Sequence, residues 1–217
     1  MDNNKYAIFV DFDECLIHGF TASDRKTPTF DEVKKDFEVT WIADEETKYV
    51  IVLRPGAKEF LQELKKITPN IFILTAGLKD FQIKVAESAG LFGLVKGLYG
   101  RDSTDVPKFT CPILIDDMWL KSGNTFRKCQ QMGIIDRETQ ERIDHGPWVD
   151  GDEDAVAALI EKHYIQIRHF DATDKNDAGF QEVMPKIQPK LDVLSHEFRD
   201  YLKEKIIAVF KEGKAKI

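Results

Sequence analysis

Several common sequence signals are scarce in this chain of 217 residues. It has three cysteines, Cys15, Cys111 and Cys129, and none of them stands in a C-x-x-C pair. This spacing indicates neither a disulfide framework nor a zinc site. No apolar run reaches membrane-spanning length, and the run at residues 6–10 is too short for a signal peptide. The sequence therefore predicts a soluble protein of the cytoplasm.

Positive charge is also in short supply. The chain has 31 Lys and Arg residues against 38 Asp and Glu residues, which gives a net charge of −7. Binding along a nucleic-acid backbone relies on a basic surface, so this class of partner is not expected. A small phosphorylated group held by a metal ion and a few donors is compatible with the same charge.

Three short apolar segments carry the fold prediction. Residues 6–10, 71–74 and 113–115 each read as a strand buried on both faces, and each runs directly into a polar residue. Segments with helical patterning separate them. The pattern predicts an α/β fold, a Rossmann-like, doubly wound parallel sheet whose strands bring their polar ends to one edge.

Two additions to this core are predicted. Segments 37–42 and 47–53 alternate around a polar turn and predict a β-hairpin, inside an insertion at about residues 18–54. Residues 1–170 are expected to form one domain. The rest, 171–217, reads as a linker and a C-terminal amphipathic helix with apolar residues at three- and four-residue steps from residue 189. Packing on its own domain is the expected role of that helix, and docking to a membrane or a protein partner is the alternative.

The remaining stretch is predicted in less detail. Residues 122–144 read as polar helix, 155–163 as a further helix and 164–167 as an edge strand. The acidic run at 150–154 reads as a helix start, since it lacks the ligand spacing of a calcium loop.

The polar strand ends supply the parts that phosphoryl transfer needs: a nucleophile, a proton donor, positive charge and a hydrogen-bonding cradle. Asp11 is a candidate nucleophile that would form an aspartyl-phosphate. Asp13, two residues on, can protonate the leaving group and later activate water.

Six further positions complete the candidate site. Asp116 and Asp117 can hold Mg²⁺, which prefers oxygen ligands, and four carboxylates at one edge would repel strongly without a cation. Thr75 and the amides that follow it, of Ala76 and Gly77, can donate to phosphoryl oxygens. The positive charge is assigned to a lysine that precedes the third strand, Lys108.

These residues resemble the motifs of the haloacid dehalogenase-like phosphatases. Asp11-Phe-Asp-Glu-Cys-Leu16 is similar to the first motif, Thr75 to the second, Lys108 to the third and Asp116-Asp117 to the fourth. Segments 11–18, 49–61 and 73–77 resemble more closely the branch that contains the small phosphatases of the RNA polymerase II C-terminal domain and the NLI-interacting-factor-like proteins.

This resemblance covers about residues 5–165. It implies Mg²⁺-dependent dephosphorylation of phosphorylated proteins or peptides, with Asp11 as nucleophile and Asp13 as acid/base. The metal would be held by Asp11, the backbone carbonyl of Asp13, Asp116 and Asp117.

The chain departs from that branch at three points. Cys15 stands where a Thr is usual, Asp117 replaces an Asn, and the gap from Lys108 to Asp116 is short. A short gap is similar to deoxyribonucleotidase-type members, so a nucleotide or metabolite phosphatase is the leading alternative. Lys96 is a second candidate for the lysine role.

A catalytically silent binding module that keeps the same fold is the third hypothesis. The intact set of Asp11, Asp13, Thr75, a lysine and Asp116 argues against it, because a binding module has no need of all five.

Overall fold

Residues 5–21, 30–44, 47–135 and 152–214 are described by the structure, which is a computed structural model. The eight strands are β1 (Tyr6–Val10), β2 (Ile17–Thr21), β3 (Val39–Asp44), β4 (Thr47–Leu53), β5 (Ile71–Leu74), β6 (Gly97–Tyr99), β7 (Cys111–Asp116) and β8 (Tyr164–Gln166). The helices are α1 (Phe30–Val33), α2 (Ala57–Ile67), α3 (Lys79–Ser88), α4 (Gly123–Met132), α5 (Asp152–Glu161) and α6 (Gly179–Lys214).

Five of these strands form a central parallel sheet in the order β6-β5-β1-β7-β8. The three predicted apolar segments are its three middle strands, and the predicted fold class is confirmed. Val10 pairs with Ile73 of β5 and with Ile115 of β7, so the three strands end at the same level. The residues that follow them therefore meet at one edge.

Alternate side chains along the strands belong to two separate apolar layers, one on each face of the sheet. Ile8 and Val10 of β1 pack on one face, in a layer that also contains buried residues of α2, α3 and α6. Ala7 and Phe9 pack on the other face with buried residues of α4 and α5. Strands covered on both faces explain why they read as continuous apolar runs in the sequence.

A smaller antiparallel sheet, in the order β2-β4-β3, lies between β1 and α2 in the chain. Its β3–β4 pair is the predicted hairpin. Tyr49 of β4 meets Phe81 of α3 edge to face, with ring centroids 5.3 Å apart, so the small sheet is packed against the central domain. It begins at Ile17, directly after the loop that carries Asp11 and Asp13.

The C-terminal helix α6 starts at Gly179, ten residues before the predicted start, and contains Pro185 and Pro189. Proline removes one backbone hydrogen bond from a helix, which suggests a break when only the sequence is considered. The helix continues because its first turns are held on the sheet by a buried apolar face: Phe180, Val183, Ile187, Leu191 and Leu194. These turns therefore pack on the helix's own domain, which is the role expected from the sequence.

Part of the predicted secondary structure lies outside the described residues. Within the predicted helical stretch 122–144, α4 covers Gly123–Met132, and residues 136–144 are not described. The acidic run at 150–154 is described from Asp152, where α5 starts, and β8 matches the predicted edge strand. Among the described helices, none combines the length and the apolar character needed to cross a membrane.

Arg54, directly after β4, forms a buried ion pair with a residue just before α6 and a hydrogen bond to the loop after β1. Arg54, which is 1% exposed, donates to Asp177 through Nε at 2.7 Å and Nη2 at 3.0 Å. Its Nη1 donates to the carbonyl of Cys15 at 3.1 Å. The guanidinium lies over the rings of Phe170 and Phe180, with its Cζ 5.5 and 5.0 Å from the ring centroids. Although burial alone would raise the pKa of Asp177, its hydrogen bonds and the charge of Arg54 lower it.

This pair predicts a large stability effect. Replacing Asp177 with Ala leaves the Arg54 charge buried and unpaired, so the free energy of unfolding should fall by about 3–5 kcal/mol in urea denaturation. The matched control is Glu197→Ala, which removes an exposed pair with Lys162 (2.6 Å) and should cost less than about 1 kcal/mol. Equal losses for the two variants would show that the buried pair has no special role.

Candidate active site

Three carboxylates gather where β1 and β7 end. Asp11 is 5% exposed and Asp116 is fully buried, and each, with Asp117, offers an oxygen within 4.8 Å of the others. The amide of Asp11 donates to the carbonyl of Ile115 at 2.8 Å, which continues the β1–β7 pairing through the first catalytic candidate. The site is thus an extension of the sheet itself.

The loop after β1 folds back tightly. The amides of Cys15, Leu16 and Ile17 all donate to the carbonyl of Phe12, at 3.4, 2.9 and 3.2 Å. Glu14 adopts a left-handed conformation with φ of 60°, which is unusual for a residue other than glycine and is often found at functional sites. This turn brings the side chain of Asp13 towards β5.

Lys128 lies between the two buried carboxylates. Its Nζ is 2.7 Å from Oδ1 of Asp11 and 2.6 Å from Oδ2 of Asp116, and the residue is 1% exposed. Burial would lower the pKa of Lys128, but the two carboxylates outweigh it and raise the pKa. Burial raises the pKa of Asp11, Lys128 opposes this, and the charge of Asp116 raises it again.

The structure does not bring Lys108 to this site. Lys108 is exposed, and its Nζ donates to the carbonyls of Gln130 and Gln131 at the end of α4. The reason is its place in the chain: it precedes β7, and six residues of strand separate the two ends by about 20 Å. Lys96 likewise precedes β6 and donates to Asn70 at 2.8 Å. Both lysines therefore lie near the amino ends of the strands.

Lys128 was missed because it follows Asp116 by twelve residues and comes from a helix. One signal was available. Thr125, Lys128 and Met132 are spaced as one face of α4, and all three are buried. A lysine on a buried helix face is rare unless it is paired, so that face predicts an acidic partner.

Thr75, at the end of β5, contacts the proposed acid/base residue. Its Oγ1 donates to Oδ2 of Asp13 at 3.0 Å and accepts from the amide of Gly77 at 2.9 Å. Gln82 of α3, which no motif predicted, donates from Nε2 to both oxygens of Asp13, at 3.0 and 3.3 Å. Ala76 lies half-buried in the same turn. Burial raises the pKa of Asp13, and the bonds from Thr75 and Gln82 oppose that effect.

Gln82 approaches Gly77 closely. A Cβ at position 77 would lie 2.2 Å from Nε2 of Gln82, far inside contact distance. The amide of Gly77, predicted to bind phosphoryl oxygens, here bonds to Thr75. A glycine at this point therefore allows the helix to place an amide beside Asp13.

Two further groups border the carboxylates. The ring nitrogen Nδ1 of His169 lies within hydrogen-bonding distance of Oδ2 of Asp117, at 2.8 Å, and the His169 side chain is largely exposed. Arg127 precedes Lys128 on α4, and its Nε and Nη2 are buried with no hydrogen-bond partner among the described residues. Burial lowers the pKa of Arg127, while the charge of Asp11 raises it. Sequence reasoning singled out neither residue.

The residues present fit a divalent metal ion of the hard, oxygen-preferring kind. Three carboxylates supply oxygens at one point, and two of them are almost fully buried. Lys128 balances one of the three negative charges. The remaining charge matches that of Mg²⁺, whose ligands in proteins are mostly carboxylates and water.

Comparison with known protein families identifies the family of this chain. A family model described as NLI interacting factor-like phosphatase matches residues 6–200. No curated protein matches the sequence.

Among solved structures, a variant of the fission yeast RNA polymerase II CTD phosphatase Fcp1, bound to beryllium fluoride, is 17% identical with a TM-score of 0.44. That match covers 97% of this chain and 67% of the other. A second structure of Fcp1 is 15% identical with a TM-score of 0.45, and covers 93% and 64%. The chain thus spans about two thirds of the length of these proteins.

The parallel sheet and the acidic motif at its edge define a haloacid dehalogenase-like phosphatase. Within that class, the chain belongs to the NLI interacting factor-like phosphatase family, whose model spans most of its length. It is therefore a phosphoric monoester hydrolase by family, and phosphatases of this kind generally use Mg²⁺.

Whether Lys128 or Lys108 supports catalysis can be tested directly. Lys128→Met removes the ammonium that Asp11 and Asp116 share, so kcat/KM for 4-nitrophenyl phosphate should fall at least about a hundredfold. Lys108→Met makes the same chemical change at the far end of β7 and should alter kcat/KM by less than about threefold, as expected of an exposed residue. The opposite order would return the catalytic role to Lys108.

Proposed function

We propose that this protein is a Mg²⁺-dependent protein phosphatase that works through an aspartyl-phosphate on Asp11. The observation that supports it most strongly is the pairing of two differently held carboxylates at one sheet edge. Asp11 pairs with the cation Lys128 and has an oxygen within 4.8 Å of oxygens of Asp116 and Asp117, whereas the Asp13 side chain, two residues on, accepts hydrogen bonds from the neutral donors Thr75 and Gln82. A nucleophile and an acid/base need such different surroundings.

The metal-ligand candidates are Asp11, the backbone carbonyl of Asp13, Asp116 and Asp117. Mg²⁺ bound there would neutralise negative charge on the phosphoryl oxygens. Two oxygens are already oriented by the protein: Oδ1 of Asp116 accepts from the amide of Met118 at 2.9 Å, and Oδ2 of Asp117 lies 2.8 Å from His169. These bonds fix the carboxylates before any ligand arrives.

The chain's own residues account for two chemical steps. A carboxylate oxygen of Asp11 attacks phosphorus, the bond to the leaving oxygen breaks, and Asp13 gives its proton to that oxygen. Asp13 then takes a proton from water as the water attacks phosphorus, which releases phosphate and regenerates Asp11. Lys128 holds Oδ1 of Asp11 throughout and so fixes the orientation of the nucleophile.

The phosphoryl group would be bound by Thr75 and the turn that follows it. Lys128 is committed to two carboxylates at 2.6 and 2.7 Å. Arg127 is the candidate for the additional positive charge, because a guanidinium binds oxyanions in a bidentate manner and no described residue hydrogen-bonds to its buried Nε and Nη2.

A phosphorylated Ser, Thr or Tyr in a protein or peptide is the substrate that we propose. The family points to this class, and two large apolar side chains stand exposed beside the catalytic edge. Leu78 follows Gly77 and is 51% exposed, and Trp119 follows Asp116 by three residues and is 59% exposed. Such side chains can contact the residues that flank a phosphorylated position in a peptide.

The mechanism predicts a complete dependence on Asp11. The Asp11→Asn variant should lose hydrolysis of 4-nitrophenyl phosphate by a factor of about 10⁴ or more, because the amide is not a nucleophile. Asp36→Asn, at an exposed position paired with Lys175, is the matched control and should keep normal turnover. Near-normal turnover by Asp11→Asn would rule out the covalent mechanism.

Removal of the metal should silence the protein reversibly. We expect EDTA to abolish hydrolysis and added Mg²⁺ to restore it, since the charge of three clustered carboxylates would otherwise face the phosphoryl group. Circular dichroism in EDTA checks that the fold persists. Full activity in the chelator would contradict the metal role.

One variant can distinguish a phosphopeptide substrate from a nucleotide substrate. Trp119→Ala should raise KM for phosphopeptides by about tenfold, which corresponds to about 1.4 kcal/mol of lost contact, and leave KM for 4-nitrophenyl phosphate unchanged. Wild-type protein should also prefer phosphopeptides to a panel of nucleotides at equal concentration. A preference for nucleotides, with no effect of Trp119→Ala, would favour a nucleotide phosphatase instead.

A further inference from the structure

Gln82 has an unusually specific position for a residue outside every motif. It is 6% exposed, and its Nε2 reaches both carboxylate oxygens of Asp13 at 3.0 and 3.3 Å. The side chain comes from α3 and passes over Gly77, where any larger residue would collide with it. Two elements of the fold, a helix and a glycine turn, thus combine to put one amide beside the acid/base residue.

The orientation of this amide is informative. Its Oε1 is buried without a hydrogen-bond partner, and an unpaired buried acceptor is destabilising. The reversed orientation would place Oε1 against two carboxylate oxygens of Asp13. An apolar residue of the same shape would fill the space without this cost, so the structure uses Gln82 as a donor to Asp13.

Thr75 explains why a second donor is needed. A threonine hydroxyl has a single proton, and in this structure that proton goes to Oδ2 of Asp13. If Thr75 binds a phosphoryl oxygen, the same proton must turn towards the substrate. Asp13 then loses one of its two side-chain donors, and Gln82 is the one that remains.

We propose that Gln82 is a positioning residue for Asp13. It keeps the Asp13 carboxyl group oriented after the Thr75 hydroxyl has turned to the phosphoryl group, so that the proton can reach the leaving oxygen. This inference rests on the proposed phosphatase function and adds a residue to it. Gln82 acts through Asp13, whose carboxyl group it holds by two hydrogen bonds.

The test compares two substrates of nearly equal size and charge. Phenyl phosphate has a basic leaving group that needs a proton from an acid, and 4-nitrophenyl phosphate has one that leaves with little help. General acid catalysis contributes about 10²–10⁴-fold where it operates. In the Gln82→Met variant, kcat/KM should therefore fall at least about tenfold more for phenyl phosphate than for 4-nitrophenyl phosphate.

The chain offers a matched control in Gln131. Its Nε2 also makes two hydrogen bonds, both at 3.0 Å, but to the carbonyls of Gly100 and Ser103, and its Oε1 is also buried without a partner. Gln131→Met removes the same chemical group without touching Asp13. The ratio of the two kcat/KM values should then equal that of the wild type.

A second variant guards against loss of the fold. Gln82→Glu keeps the shape of the side chain but places a carboxylate against Asp13, so it should change the ratio in the same direction as Gln82→Met. Thermal unfolding is measured for each variant. Failure of both Gln82 variants to fold would overturn the proposal, because it would make Gln82 a structural residue.

The remaining outcomes are distinct. An unchanged ratio in folded Gln82→Met, or an equal loss on both substrates, would overturn the inference and leave the phosphatase proposal intact. A wild-type protein that hydrolyses neither aryl phosphate with Mg²⁺ would overturn the proposed function and this inference together.

Discussion

The crowding of negative charge at the end of β1 and β7 is the constraint on which the rest of the site depends. Three carboxylates approach within 4.8 Å, and the buried ammonium of Lys128 compensates for one of them. Three negative charges and one positive charge leave a net charge of −2 at a place that water hardly reaches. Burial and the charge of Asp116 both raise the pKa of Asp11, the opposite of what a nucleophile needs. A divalent cation bound there would resolve both problems, because it would favour the ionised carboxylates that hold it.

The remainder of the fold keeps the loop between Asp11 and Ile17 in place. The sheet fixes one side of this loop through the β1 and β7 pairing, and Arg54 fixes the other through the carbonyl of Cys15. Arg54 is held in turn by Asp177, which stands at the start of α6. The segment that begins α6 therefore helps to support the loop that carries Asp11 and Asp13, and the family model that matches this chain extends past Asp177, to residue 200.

Sequence reasoning succeeded where strands decide the outcome. Asp11, Thr75 and Asp116 follow apolar runs, and neighbouring parallel strands in register must bring their ends together. It failed where a helix supplies the side chain. Lys128 and Gln82 reach the site because α4 and α3 are rotated and packed in a particular way, and that rotation is set by tertiary contacts that a motif does not encode. Lys108 was chosen because it is close to Asp116 in sequence. Strand β7 lies between the two residues, however, and places them at opposite ends of the strand.

The two candidate catalytic aspartates show how strongly the partners of a side chain determine its properties. Asp11 and Asp13 are two residues apart and share a loop, yet one is paired with an ammonium and the other with a hydroxyl and an amide. The ammonium of Lys128 opposes the rise in the pKa of Asp11 that burial causes, and so favours the charged form that a nucleophile requires, although it does not cancel that rise. Neutral donors in a partly buried place favour that form less, and burial raises the pKa of Asp13, as a proton donor requires. The sequence Asp-x-Asp alone carries neither property; the helices α4 and α3, which bring Lys128 and Gln82, make the two residues different.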